Sequence, residues 1–129
     1  MLLFVDDDLL FTRALVREIG AATIEVVTAG GGAAAKEILR TRPINVLATD
    51  FMMAGETGLA LLDWVRLQHP LVGRVLFTGL VDAAVVDPLL RSGRLHGVLQ
   101  KPFLTSDLLA VITDVIRTAR PPVSATFHR

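Results

Sequence analysis

The sequence predicts an α/β protein with a doubly wound parallel sheet of five strands and five helices. Short runs of aliphatic and β-branched residues alternate along the chain with longer segments in which apolar residues recur at helical spacing. The short runs are apolar at nearly every position, which is typical of parallel strands covered on both faces. Because the connections are short and crossovers between parallel strands are right-handed, the helices are expected to pack on both faces of one sheet.

The predicted strands are short, mostly aliphatic and rich in β-branched residues, as expected of buried strands. They are LLFV (2–5), IEVV (24–27), INVLAT (44–49), RVLFT (74–78) and GVLQ (97–100). In a doubly wound sheet the functional crevice lies at the carboxyl ends of the strands. Residues that follow these segments are therefore the first candidates for a site.

The predicted helices end at glycine or proline, or begin at a polar residue that can cap them. Gly20 ends the first helix as a C′ residue, and Pro70 closes the third. Pro88 interrupts the pattern of the fourth helix, whereas Thr105 or Ser106 is predicted to cap the fifth. The five helices are 9–19, about 32–41, 58–68, about 82–91 and 106–119.

Composition excludes several classes of protein. The formal net charge is zero, so the basic excess that a nucleic-acid-binding surface requires is lacking. The chain has no cysteine, which excludes disulfides and thiolate metal sites. No apolar run reaches the roughly 18 residues of a membrane span, and the opening MLLFV lacks a basic region before Asp6, unlike a signal peptide. We therefore expect a cytoplasmic protein with no membrane partner.

The length of 129 residues predicts one domain. All predicted strands and helices fall within residues 1–119. The remaining segment 120–129, RPPVSATFHR, has the composition of a linker or a frayed end.

Acidic side chains, a hydroxyl and a lysine are predicted to meet at the carboxyl edge of the sheet. Asp6 and Asp7 follow the first strand, and Asp50, Thr78 and Lys101 stand at the ends of the third, fourth and fifth strands. Neighbouring carboxylates repel one another, so this cluster favours a bound cation. Mg2+ prefers oxygen ligands of this kind. The sequence thus predicts a magnesium site at Asp6, Asp7 and Asp50.

The same residues suit the transfer of a phosphoryl group to a carboxylate. A metal at the acidic cluster screens the charge of an approaching phosphoryl group. Lys101 can add a second positive charge, and Thr78 can donate a hydrogen bond to a phosphoryl oxygen. Asp50 is the predicted nucleophile, because a carboxylate can accept a phosphoryl group as an acyl phosphate. Asp8 is instead predicted to cap the first helix.

Four motifs taken in order resemble the receiver domain of two-component response regulators over residues 1–119. The motifs are VDDD (5–8), TDFMMAGETG (49–58), LFTG (76–79) and QKPF (100–103). The resemblance implies a flavodoxin-like receiver fold with strand order 2-1-3-4-5. It also implies a sensor histidine kinase or a histidine phosphotransfer protein as phosphodonor, and a change of partner binding on phosphorylation.

The resemblance assigns roles to the acidic residues. Asp50 is the phosphoacceptor in this interpretation. Asp7, Asp50 and the main-chain carbonyl of Met52 hold Mg2+, and Asp6 acts through a bound water. Side chains at Met52 and Leu80 flank the path of the hydrolytic water in receivers. Because both are apolar in this chain, slow self-dephosphorylation is expected.

The resemblance also assigns the remaining contacts and exposes two departures from the family. Thr78 and Lys101 contact the phosphoryl oxygens, and Lys101–Pro102 is expected to be a cis peptide bond. Ala54 stands where the family usually has proline. Val98 stands where the family usually has an aromatic switch residue, so the usual rotation of a ring toward the threonine is not available.

Segment 82–119 is predicted to contain a partner surface. In the family, the fourth helix, the fifth strand and the fifth helix carry dimer or effector contacts. Here the segment has more apolar residues than one helix face must bury. A homodimer or an effector contact is therefore expected there.

The three histidines and the single tryptophan receive no functional role. His69, His96 and His128 are scattered along the chain and are predicted to lie on the surface. Trp64 is predicted to pack in the core or on a helix face.

Three alternatives to phosphoacceptance fit parts of the sequence. A haloacid dehalogenase-like phosphatase would use Asp6 as nucleophile and Asp8 as its second acid, but it leaves Asp50 without a role. A receiver-like interaction module that is never phosphorylated is favoured only by Val98. The run GGGAAA at 30–35 fits a loose dinucleotide-binding fingerprint, which belongs in the first βα turn and not the second.

Overall fold

The computed structural model describes residues 1–20, 24–53, 55–79 and 82–119. Strands and helices alternate along this part of the chain. The strands are β1 (Leu2–Val5), β2 (Val26–Ala29), β3 (Val46–Asp50), β4 (Gly73–Thr78) and β5 (Gly97–Gln100). The helices are α1 (Leu9–Ile19), α2 (Gly32–Thr41), α3 (Gly58–Gln68), α4 (Ala83–Arg91) and α5 (Thr105–Ala119).

The strands form one parallel sheet in the order β2-β1-β3-β4-β5. Helices α1 and α5 cover one face, where their apolar residues pack against Phe4 and Phe77. Helices α2, α3 and α4 cover the other face and pack against Leu3 and Leu47. The doubly wound fold and its strand order are thus confirmed. Because the chain leaves β1 and β3 toward opposite faces, the crevice lies between their carboxyl ends.

Three strands differ from the predicted bounds. β2 spans Val26–Ala29 instead of 24–27, β3 spans Val46–Asp50 instead of 44–49, and β4 begins at Gly73 instead of residue 74. β2 and β3 begin later because β1 pairs with Val26–Ala29 on one side and with residues 46–49 on the other, and the ladder between β3 and β4 runs from Gly73 to the pair Asp50–Phe77. Ile24 and Ile44 are apolar enough to join a strand, but they precede this ladder.

Helices α1, α2 and α3 have the predicted bounds. Gly20 follows α1 with a φ of 66°, a conformation that glycine adopts without steric cost. α4 begins one residue later than predicted because Asp82 is its N-cap, and Pro88 lies inside it.

The prediction that Thr105 or Ser106 caps α5 is wrong. The helix already includes Thr105, and the N–H of Leu108 donates to the carbonyl of Leu104. The side chain of Asp107 accepts a hydrogen bond from the N–H of Leu104 at 3.2 Å. The acid in the first turn therefore provides a hydrogen-bond acceptor for the main-chain N–H of the residue before the helix, as in one half of a capping box.

A buried arginine and a histidine meet at the amino end of the sheet. Arg74 on β4 is 4% exposed. Its guanidinium donates to four main-chain carbonyls, those of Pro70, Val72, Gly93 and Arg94. The prediction that His96 lies on the surface is wrong, because its ring is half-buried and its Nδ1 accepts from the Arg74 N–H at 3.0 Å. Its Nε2 lies 3.3 Å from Arg74 Nη2.

Trp64 packs on the face covered by α2, α3 and α4, as predicted. The ammonium of Lys36 lies 5.4 Å from the centre of its ring. His69 is half-buried, with its ring centre 5.5 Å from that of Trp64, so its prediction as a surface residue is also wrong. His128 lies outside the described residues. Among the helices described, none is both long and apolar enough to cross a membrane.

Candidate functional site

The carboxyl edge of the sheet brings the predicted site residues to one place. Asp6 follows β1 directly, and Asp50 and Thr78 are the last residues of β3 and β4. Lys101 follows β5 and donates its main-chain N–H to the carbonyl of Thr78 at 2.8 Å. The peptide bond Lys101–Pro102 is cis, as predicted from the resemblance.

Asp6, Asp7 and Asp50 form an oxygen-rich cluster. Each offers a carboxylate oxygen, and these oxygens lie within 4.8 Å of one another. Asp6 is buried, Asp50 is partly buried and Asp7 is exposed, so the cluster opens toward solvent on one side. An all-carboxylate donor set of this size suits a hard divalent cation such as Mg2+, which keeps several waters beside one or two carboxylates.

Lys101 bridges the buried Asp6 and the partly buried Asp50 of this cluster. Its Nζ lies 2.9 Å from Oδ2 of Asp6 and 3.4 Å from Oδ2 of Asp50. The other Asp6 oxygen accepts the main-chain N–H of Asp8 at 3.0 Å. Both Asp6 oxygens are therefore engaged, whereas Asp50 is held by the longer contact and stays accessible to a reactant.

Partial burial and the attraction between opposite charges together set the pKa values of Asp50 and Lys101. Burial raises the pKa of Asp50 above its ordinary value of 3.8, Lys101 opposes the rise, and Asp6 adds to it. Burial alone lowers the pKa of Lys101, but its hydrogen bonds and charge attraction to Asp6 and Asp50 outweigh that effect and raise it. Lys101 is thus a permanent cation beside a carboxylate that water solvates poorly.

An aromatic cluster beneath the acids positions Lys101, and no feature of the sequence had pointed to it. The rings of Phe4 and Phe77 stack with centres 4.6 Å apart, and Phe103 meets Phe11 edge-on at 5.8 Å. The Lys101 ammonium lies 4.6 Å from the centre of Phe11 and 5.2 Å from that of Phe77. Because these distances are typical of cation–π attraction, the rings hold the ammonium while they exclude water below it.

Helix starts fix the loops around the cluster. Asp8 is the N-cap of α1, as predicted, and its side chain accepts the N–H of Phe11 at 3.1 Å. Thr57 caps α3 in the same way through the N–H of Ala60. These caps satisfy N–H groups that the first helical turns leave unpaired.

Gly58 lets α3 approach the end of β3 more closely than any other residue would. A Cβ at this position would lie 2.1 Å from the carbonyl oxygen of Asp50. The N–H of Gly58 also donates to the carbonyl of Phe51 at 2.8 Å. The role of this glycine was not predicted, although it closes the quoted motif TDFMMAGETG.

Thr78 and the residues near it adjoin an apolar cavity of about 190 Å3. Thr78 is 9% exposed at the end of β4, and Asp82 lies at the same cavity. Val98, opposite Leu76 in the ladder, is partly buried and packs on the same face of the sheet. The small side chain of Val98 therefore packs against the core of this face.

The three remaining predicted positions are Met52, Ala54 and Leu80. The side chain of Met52 is 68% exposed beside the crevice, and the metal contact of its main-chain carbonyl stays a prediction. Leu80 and Ala54 lie outside the described residues.

Sequence comparisons identify relatives of this chain. A family model described as the response regulator receiver domain matches residues 2–113. The DNA-binding transcriptional regulator NtrC of Escherichia coli K12 is 30% identical over 112 residues, which cover 87% of this chain and 24% of NtrC. The response regulator receiver protein CpdR of Brucella abortus is 30% identical over 118 residues, covering 92% of this chain and 98% of CpdR. This chain thus spans about a quarter of NtrC.

Solved structures share the fold. The receiver domain of NtrX from Brucella abortus superposes with a TM-score of 0.81 at 25% identity. The match covers 92% of this chain and 99% of that domain.

Proposed function

Because this chain belongs to the response regulator receiver domain family, we propose that it accepts a phosphoryl group on Asp50 in the cytoplasm. Receiver domains accept this group from histidine kinases or histidine phosphotransfer proteins. One observation carries the assignment to Asp50: its partly buried carboxylate lies among Asp6, Asp7 and Lys101 at the end of a central strand.

The proposed step is an in-line transfer between a phosphohistidine and Asp50. An oxygen of Asp50 attacks phosphorus, an O–P bond forms, and the P–N bond of the donor breaks. The electron pair returns to the imidazole nitrogen of the donor, which then takes up a proton. Lys101 Nζ, 3.4 Å from Asp50 Oδ2, can turn to the phosphoryl oxygens while Asp6 keeps it in place.

Receiver domains generally bind Mg2+, and the cluster of Asp6, Asp7 and Asp50 fits such an ion. We assign the direct contacts to Asp7, Asp50 and the carbonyl of Met52, and a contact through water to Asp6. When bound, the ion neutralises charge on the acids and on the transferred group. Thr78 is assigned a hydrogen bond from its hydroxyl to one phosphoryl oxygen.

The test is phosphorylation with acetyl phosphate and Mg2+, followed by intact mass. The parent chain is expected to gain one phosphoryl group that is labile to acid and base, and Asp50→Asn is expected to gain none. Lys101→Ala is expected to react more slowly. A label that survives in Asp50→Asn would contradict the assignment and return the nucleophile to Asp6, as in a phosphatase. A parent chain without any label would favour the interaction module.

Slow self-dephosphorylation belongs to the same proposal. The exposed thioether of Met52 offers no hydrogen bond strong enough to orient a water opposite Asp50. The second apolar side chain of this argument, Leu80, is outside the described residues. The phosphorylated state is therefore expected to last and to support a sustained response.

Output is proposed to run through segment 82–119, as either a homodimer or an effector contact. Several apolar side chains of this segment cannot contact a partner, because Val86, Leu89 and Ile112 are buried in the core. Val85 and Leu90 on α4 remain 48% and 38% exposed and are available to a partner. Domain bounds of 1–119 for the receiver domain, with 120–129 as a linker-like or disordered tail, complete the proposal.

A further inference from the structure

The outer edge of β2 presents unpaired backbone groups. β2 is the end strand of the sheet next to β1. The N–H of Leu2 donates to the carbonyl of Glu25, and the N–H of Asp6 donates to the carbonyl of Ala29. Since backbone groups alternate in direction along a strand, the N–H and C=O of Val26 and Thr28 point away from β1. No strand in the described part of the chain pairs with them.

A groove runs between this edge and α1. It consists of two adjoining depressions of about 530 and 440 Å3, which share Val16, Arg17 and Val26. The depression nearer the carboxyl end of β2 is lined by Thr12, Arg13, Val16, Arg17, Val26 and Thr28. The other reaches Gly20, Ile24 and Glu25. The groove thus has an aliphatic floor and two arginines beside an open strand edge.

The two arginines lack partners among the residues that the structure describes. Arg13 and Arg17 are exposed and make no ion pair or side-chain hydrogen bond with any other described residue. They stand four residues apart on α1, so their side chains lie on the same side of the helix, about 6 Å apart along its axis. Among the described residues that line the groove, Glu25 is the single acid, and it lies at the end away from Arg13.

We propose that the β2 edge binds an extended acidic segment of a partner protein, which adds to the sheet as a sixth strand. Such a segment forms main-chain hydrogen bonds with the outward groups of Val26 and Thr28. Residues two apart in a strand lie on the same face, about 6.6 Å apart. Two carboxylates at this spacing match the separation of Arg13 and Arg17, and the aliphatic stems of glutamate side chains can cover Val16 on the same face.

A second copy of this chain fits the same edge poorly. Its β2 would present the side chains of Val26 and Thr28 toward α1 and would supply no carboxylate there. It would also bring a second pair of Arg13 and Arg17 next to the first, and like charges in contact disfavour association. The charge of the groove therefore selects an acidic partner. This inference does not depend on phosphorylation of Asp50.

The test uses a synthetic acetylated and amidated peptide with alternating valine and glutamate, titrated into 15N-labelled protein. The amide signals of Val26 and Thr28 are expected to shift most, in a saturable manner. A peptide with lysine in place of glutamate is expected to cause no such shift. Arg13→Glu and Arg17→Glu are expected to weaken binding at least tenfold, whereas Arg91→Glu, an exposed change on α4, is expected to leave it unaltered.

Thermal unfolding of each variant confirms that it is folded before its binding is compared. Equal binding of the glutamate and lysine peptides, or shifts centred away from β2, would overturn the proposal. A dimer that forms through β2 in sedimentation experiments would assign the edge to a second copy. Tighter binding of a short oligothymidylate than of the acidic peptide would assign the arginines to phosphate groups instead.

Discussion

Replacement of Arg74 by methionine tests how much a buried arginine without a carboxylate contributes to this fold. The methionine keeps an unbranched apolar chain in the space of the arginine stem but removes every donor. Four main-chain carbonyls then lose their hydrogen bonds, of which the contact with Val72 is fully buried and the other three are partly buried.

The expected loss follows from those four acceptors. A buried acceptor left without a partner costs about 1–3 kcal/mol. Water can reach the three partly buried carbonyls, and removal of the buried charge returns part of the cost. We expect the free energy of unfolding to fall by about 3 kcal/mol, a large share of the 5–15 kcal/mol that is typical of a domain. At about 3–5 °C per kcal/mol for a chain of this length, the Tm should fall by about 10 °C.

Urea unfolding followed by circular dichroism at neutral pH measures this change, and an unaltered m-value would confirm that both states keep their compactness. Arg66→Met is the matched control, because exposed Arg66 makes one hydrogen bond, to the carbonyl of Ser92. The control is expected to cost less than about 0.5 kcal/mol. If Arg74→Met costs no more than Arg66→Met, the carbonyl cluster does not stabilise the fold in the way argued.

The other predictions concern the metal site, pH, the end of β3 and the lifetime of the acyl phosphate. Mg2+ at about 100 times its Kd should stabilise the fold by about 2.7 kcal/mol in a thermal-shift experiment, and Asp7→Ala should abolish the shift; a parent chain that does not respond would argue against the site. Burial and neighbouring arginines lower the pKa of His96 in the folded state below its ordinary value of 6.5. Between the folded pKa and 6.5 the unfolded chain therefore binds more protons than the folded chain, and the free energy of unfolding decreases as the pH falls through this range. His96→Asn should flatten this dependence in urea unfolding, and an unchanged slope would refute it. Gly58→Ala should lower the free energy of unfolding by about 1–3 kcal/mol because its Cβ would clash with the Asp50 carbonyl. Unchanged stability together with unchanged phosphorylation would show that the backbone can shift to accommodate the added Cβ. Met52→Asn should speed decay of the acyl phosphate up to about tenfold, which corresponds to 1.4 kcal/mol; equal decay of Met52→Asn and Met52→Ala would rule out water positioning.

The site residues that lie at the carboxyl ends of strands could be predicted from the sequence. Asp50, Thr78 and Lys101 each stand at the end of a strand that is recognisable by its aliphatic run. Because the carboxyl ends of parallel strands meet at one edge, knowledge of the fold class was enough to place them together. The capping role of Asp8 was equally local, since it depends on the backbone three residues further along.

Contacts between distant segments could not be predicted in this way. The ring cluster under Lys101 joins Phe4, Phe11, Phe77 and Phe103 from two strands, a helix and a loop. In the sequence, each of these phenylalanines is indistinguishable from an ordinary core residue. Their meeting depends on the register of β1 with β3 and β4 and on how α1 packs, which no local pattern encodes.

The amino-acid sequence by itself determined the alternation of strands and helices, the doubly wound class and the acids that end the strands, because these follow from periodicity over a few residues. The tertiary structure alone decided that Lys101 bridges Asp6 and Asp50, that Arg74 is buried among carbonyls and that His96 faces it. The physical reason is that a charged side chain is buried only where distant backbone groups or charges can satisfy it, and those partners exist only after the sheet has assembled.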